Sequence, residues 1–248
     1  YLNCVIRTTH SMELFFNFVL VSFLTIVPAV EAVKYATFAG REKINFDFGW
    51  RHKLGKDSSR WVTGSTTAVP GPAQEKFNDS LWELVDSPHD MLIVQKFEQN
   101  ASQKQAFIPR NVGWYRKHFY LPKDWDGSTI WWRCEGSFHK TFVYFNGVLA
   151  KVHKAGYTSF SVRLDNHSSV QYGQEVPNVL ALFVDASSGT GWWYEGGGLM
   201  RHNYIMKANH AHIAEDTAWV SAVPKLDGSK ESVFTVKSQV SSLGKVEG

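Results

Sequence analysis

The sequence is poor in cysteine. Only two of its 248 residues are Cys, and Cys4 precedes an apolar leader, so Cys134 is the sole cysteine after it. Beyond the leader this excludes an intrachain disulfide and any CxxC metal or redox motif, and it leaves stability to the core. A charge of one sign is also missing. Against 23 Asp and Glu there are 26 Lys and Arg, a net +3, and the basic residues are scattered instead of forming a stripe, so no nucleic-acid partner is expected. The phosphate-binding motifs fail too: Tyr194 stands where Gly189 and Gly191 would need a third glycine for the dinucleotide pattern, and no Gly-Lys-Ser/Thr occurs. After the leader no helical periodicity runs beyond about two turns. What is abundant is apolar and aromatic, 44% and 15% of the residues, enough for one packed domain and part of a second.

The leader is "MELFFNFVLVSFLTIVPAVEA", beginning at Met12. Its apolar part, Leu14 to Val30, is broken only by Asn17, Ser22, Thr25 and Pro28. The small residues of Val30-Glu31-Ala32 mark a cleavage site after Ala32, so residues 1–32 are read as upstream sequence and a signal peptide. A membrane anchor is the alternative, because the run nearly spans a bilayer. Export, to the outside or to lysosomes, is expected. Three glycan acceptor patterns agree with it, at Asn78, Asn100 and Asn166.

From Ile44 onward short β-type runs alternate with turn residues. In "TSFSVRL" Phe160, Val162 and Leu164 alternate with polar residues, as in a half-buried strand. "NVLALFVD" is apolar on both faces and is expected at the centre of a sandwich. Asn146-Gly147, between two β-rich runs, predicts a type I′ hairpin. "GWYRKHFYLP" and "TIWWRCEG" read as further strands. The expected fold is all-β, a jelly-roll β-sandwich over 36–212. Two fresh β segments, "TAWVSAVP" and "SVFTVKSQV", then open an incomplete second domain over 213–248.

The chemistry concentrates in "GWWYEGGGLMRH", residues 191–202. Sugars offer apolar C–H faces and rings of hydroxyls, so they call for aromatic platforms beside carboxylates. Trp192, Trp193, Tyr194 and the strand-ending Asp185 meet that need. Two other readings stay open: the aromatics plug the end of the core, and Asp185 caps a loop. Glu135 and Glu195, each beside glycine, read as structural, and His210 and His212, taken to share a strand face, lack a third ligand for metal. No acidic pair is marked as catalytic.

The order of motifs resembles the N-terminal sugar-binding domain of glycoside hydrolase family 2, the β-galactosidase and β-glucuronidase family. The series is "FDFGWRHKLG", "FNDSLWELVDSPHD", "GWYRKHFYLP", "CEGSFHKTFVYFNG", "HKAGYTSFSVRL", "NVLALFVDASS" and "GWWYEGGGLMRH". Met91 and Leu199-Met200 depart from its usual Trp and Ile-Tyr. The resemblance implies a retaining hydrolase of terminal β-linked sugars, preferably β-galactosides, with β-glucuronides or β-mannosides as alternatives. It implies that the catalytic glutamates lie on a (β/α)8 barrel of the same protein, absent from these residues, so this chain alone is expected to be inactive. It further implies that Asp185 lies near the sugar hydroxyls and a monovalent cation, that a monovalent cation or Mg serves the full-length enzyme, that His89 and Asp90 form a corner whose side chains either serve as buried hydrogen-bonding partners, the preferred reading, or approach the barrel, and that 213–248 start an immunoglobulin-like domain. No cofactor is expected in this chain, and a homo-oligomer is left open. A stand-alone carbohydrate-binding protein and a structural adhesion module are the rival readings.

Overall fold

The computed structural model describes residues 2–8, 40–55, 71–189, 191–225 and 232–241. The apolar leader and its expected cleavage after Ala32 lie outside the described residues. No described helix is long and apolar enough to cross a membrane. Among the described residues the strands are β1 Leu2–Thr8, β2 Arg41–Asn45, β3 Trp50–Leu54, β4 Glu83–Val85, β5 His89–Asp90, β6 Val112–Phe119, β7 Thr129–Cys134, β8 Ser137–Phe138, β9 Lys140–Phe145, β10 Val148–His153, β11 Phe160–Arg163, β12 Asn178–Asp185, β13 Gly198–Leu199, β14 Asn203–Ala208, β15 His212–Ile213, β16 Trp219–Pro224, β17 Ser232–Ser238 and β18 Val240–Ser241. They fall into two compact units, 42–207 and the combination of 1–41 with 208–248.

The larger unit is a β-sandwich. One sheet has the order β10-β9-β12-β6-β3-β4, the other β11-β7-β14-β2. Between them lie Trp50, Tyr115, Phe145, Leu180, Leu182 and Val184 from the first sheet and Ile130, Trp132, Phe160, Val162 and Ile205 from the second. As "NVLALFVD" predicts, β12 is central and pairs antiparallel with both β6 and β9. Its other face is buried as well. Ala181 and Phe183 join Val112, Trp114 and Tyr144 in a second apolar cluster outside the sheet. The Asn-Gly hairpin is present: Asn146 and Gly147 have φ of 45° and 80°, the left-handed values that a type I′ turn needs, and Phe145 pairs with Val148 across it.

Buried polar groups lock the sandwich at two places. Arg116 of β6 is fully buried on the Trp114 side. Its Nε donates to Asp79 Oδ2 at 2.9 Å, and its terminal nitrogens donate to the carbonyls of Pro72, Gln74, Glu75 and Phe77. One guanidinium thus holds the 72–79 segment against the sheet. Asp47 does similar work between β2 and β3. It accepts from Asn203 N, Ser87 Oγ, His202 Nδ1 and Asn45 Nδ2. Burial alone would raise its carboxyl pKa, but these bonds outweigh burial and hold it below the usual range.

In the smaller unit β17 lies between β1 and β16. Leu2–Thr8, within the stretch read as upstream sequence and signal peptide, pair with Ser232–Ser238. The register puts Val220, Ala222, Phe234 and Val236 on one face. His210 and His212 do not share a strand face: β15 begins at His212, and His210 precedes it in a bend. The turn is set by His212 Nδ1, which donates to Asn209 O at 2.9 Å.

Candidate carbohydrate site

The six candidate sugar-binding residues, His89, Asp90, Asp185, Trp192, Trp193 and Tyr194, fall into a base and a rim. At the base, β5 pairs with β13, Gly198 opposite Asp90 and Leu199 opposite His89. Asp90 gathers the loop around itself: Oδ1 accepts from Leu92 N at 2.9 Å and Gly197 N at 3.1 Å, and Oδ2 accepts from Tyr194 Oη at 2.7 Å. Burial first, and then the bond to Asp90, raise the Tyr194 pKa. His89 Nδ1 shares a 2.8 Å hydrogen bond with the buried Tyr115 Oη. The glycines following Glu195 serve these contacts. A Cβ at Gly197 would lie 2.8 Å from Ala186 Cβ, and one at Gly198 would overlap Tyr115 Oη.

At the rim stand the tryptophans. Trp192 is 80% and Trp193 60% exposed, so neither plugs the core, whereas the half-buried Tyr194 packs against it. Asp185 ends β12 beside Val112 and Lys140. Its Oδ1 accepts from Ser187 N and Ser187 Oγ, which is a loop cap, and Oδ2 has no hydrogen bond among the described residues. His139 Nδ1 donates to its carbonyl at 3.2 Å. The rim is supported by two residues that the sequence does not announce, Gln105 and Arg110. Gln105 is buried under Trp193 and Glu195, and Arg110 Nη2 pairs with the buried Glu195 carboxylate at 2.9 Å. Glu195 is thereby structural, and Glu135 lies 4.0 Å from Lys43 Nζ. His202 serves Asp47, while Arg201 packs on Gly136; both precede β14, which begins at Asn203.

Among the described residues no three His, Cys, Asp or Glu side chains are grouped to hold a metal ion. Asp185 offers one carboxylate, short of a cation site by itself. Cys134 is buried, and burial pushes its thiol up to about 12, so it is not a nucleophile at neutral pH. Asn78, Asn100 and Asn166 are all exposed. A surface depression of about 430 Å³ lined by Gln74, Lys76 and Gly147 lies by the hairpin turn, at the end of β12 opposite Asp185. That separates it from the rim by about 20 Å of strand.

Beneath the base His52 is buried, its ring 4.8 Å from that of His89 and 4.7 Å from that of Tyr115. His52 Nε2 has no hydrogen-bond partner among the described residues. Burial, with a smaller contribution from His89, lowers the His52 pKa from 6.5 to about 3. The unfolded chain therefore takes up a proton between pH 6.5 and 3 that the folded chain refuses. Stability from this group is complete above about pH 6.5 and falls as pH falls through that window, by about 2 kcal/mol between pH 6.5 and 5. Denaturant titrations at pH 7 and 5 check this. His52→Phe is expected to flatten the difference, and an unchanged slope would assign it to other groups.

No family model matches the chain. The β-galactosidase BoGH2A of Bacteroides ovatus is 33% identical over 176 residues, which cover 70% of this chain and 19% of that protein. A protein of Formosa agariphila named as a putative β-glucuronidase is 26% identical over 84% of this chain and 19% of its own length. The relatives of this chain are glycosidases. Among solved structures, a β-glycosidase from Bacteroides vulgatus superposes with a TM-score of 0.69 at 29% identity, covering 83% of this chain and 25% of that one. A glycosyl hydrolase family 2 member from Bacteroides cellulosilyticus gives 0.59 at 25% identity, over 73% of this chain and 23% of that one. The chain thus spans about a fifth of the length of these curated relatives.

Proposed function

We propose that this chain is the sugar-binding β-sandwich, with the start of an immunoglobulin-like domain, of a longer, exported family 2 glycoside hydrolase that cleaves terminal β-linked sugars, β-galactosides first among them, with retention. The observation that carries the reading is the rim: two adjacent tryptophans held out to solvent on a braced loop that springs from Asp185, at the end of the most buried strand. Exposed aromatic faces beside a carboxylate are what a sugar ring needs. The likeness to β-galactosidases and β-glucuronidases supports it.

In this reading the chain binds and orients, and the bond-breaking carboxyl pair belongs elsewhere in the protein. Retaining hydrolysis needs two carboxyl groups about 5 to 5.5 Å apart. Here Asp90 is tied to Tyr194 and two backbone amides, and Glu195 to Arg110. Of the three carboxylates near the rim, Asp185 alone keeps an oxygen for a sugar hydroxyl. The purified chain is expected not to turn over nitrophenyl β-glycosides. In the complete protein Asp185→Ala is expected to cost about 1.5 to 3 kcal/mol of transition-state binding, roughly ten- to hundredfold in kcat/KM. Wild-type kinetics at an unchanged melting temperature would leave Asp185 as the cap of Ser187 only. Turnover by the isolated chain would overturn the division of labour itself.

A further inference from the structure

The Trp192–Trp193 rim does not stand on its own loop. A second segment, residues 103–110, grips it at three points. Gln105 Oε1 accepts from Glu195 N at 3.2 Å, and its Nε2 donates to the Trp193 carbonyl. Arg110 Nη2 pairs with Glu195 at 2.9 Å, and the same nitrogen fills the space that a Cβ on Gly189 would need. One guanidinium therefore touches the loop at residue 189 and again at residue 195, on either side of the tryptophans. Lys104 Nζ sits 4.0 Å from the Trp192 ring centroid.

As a stabilising device this arrangement is poor. A buried ion pair gains little over a well-packed apolar pair of similar volume. Arg110 Nη1, moreover, is buried without a hydrogen-bond partner among the described residues, a desolvation loss that an apolar residue would not incur. What the polar pair supplies is direction. A planar guanidinium bonded to a fixed carboxylate sets a distance between two points of a loop, which apolar contact does not.

We infer that Arg110, Glu195 and Gln105 are positioning residues for the carbohydrate rim, fixing residues 189 and 195 so that Trp192 and Trp193 face solvent as a preformed sugar surface. The inference rests on the reading of the two tryptophans as that surface. A preformed surface spares the ligand the ordering of two large side chains, which is worth about tenfold in affinity.

The test uses the complete protein and a β-linked oligosaccharide as substrate. The paired apolar replacement R110M with E195L is expected to keep the wild-type melting temperature, to raise KM about tenfold, and to leave kcat within about twofold. W192A with W193A is expected to raise KM to a similar extent, and all four substitutions together to add nothing further, because both pairs act through one surface. A wild-type KM in R110M with E195L, or losses that simply add, overturns the positioning role. A wild-type KM in W192A with W193A is a separate result: it removes the sugar surface, and this inference with it. Should the apolar pair fail to fold, R110K serves instead. Its ammonium cannot both pair with Glu195 and lie flat against Gly189, so a KM several-fold above wild type is expected, and an unchanged one overturns the inference.

Discussion

Arg116→Leu is expected to destabilise the larger unit by about 3 to 5 kcal/mol, the range for breaking a buried ion pair from one side. The loss has two parts. Asp79 keeps only His118, at 2.9 Å, as a side-chain partner among the described residues, and the carbonyls of residues 72, 74, 75 and 77 lose the guanidinium's bonds in the segment that covers Trp114 and Phe183. Arg116→Lys retains the charge but not the reach, since an ammonium cannot serve five acceptors spread over eight residues of chain; a smaller loss is expected. A urea titration followed by tryptophan emission measures both. A midpoint equal to wild type for Arg116→Leu would mean that the edge-to-face pair of Phe77 and Trp82 holds the segment instead.

Gly198→Ala is expected to be nearly as damaging, for a different reason. Its φ of +120° is one that an L side chain rarely adopts, and a Cβ there would overlap Tyr115 Oη and lie 2.6 Å from the His89 carbonyl oxygen. The phenol is the end of a buried ring and the carbonyl is backbone, so neither can step aside. Strained backbone at about 1 to 3 kcal/mol and overpacking at about 1 to 3 kcal/mol give a loss near 4 kcal/mol. Because β13 pairs with β5 on one side and β8 on the other, the displacement passes to Asp90 and from there to Tyr194. Loss of stability with unchanged sugar binding by the survivors would show that the base and the rim are independent. Wild-type stability would show that β13 can move.

Much of the sandwich is legible in the sequence because its strands obey local rules. "NVLALFVD" declares its central place through two apolar faces, and Asn146-Gly147 declares its turn through the conformations those residues tolerate. Arg116 is not legible. An arginine in a strand reads as a solvent-facing residue, and only its alternation with Trp114, both on one face, hints that the position is covered; the cover comes from a loop some forty residues earlier. The same limit applies at the rim. "GWWYEGGG" announces aromatics and tight turns, but the exposure of the tryptophans depends on Gln105 and Arg110, whose roles exist only once residues 85 to 90 positions apart have met. His52 escapes notice as well, since a histidine among charged neighbours in "WRHKL" gives no sign that its ring turns inward.

The knot of bonds around Asp47 also sets a timetable. Its carboxylate waits for the amide of Asn203, 156 residues later, and among the described residues β2 has only β14 beside it in its sheet. At ribosomal rates of about 5 to 20 residues per second, roughly ten to thirty seconds separate the emergence of β2 from that of its partner. Throughout that interval β3 can already pair with β4 and β6, and Phe46 can pack on Trp50 and Phe119, but the backbone edge of β2 stays unpaired until β14 arrives.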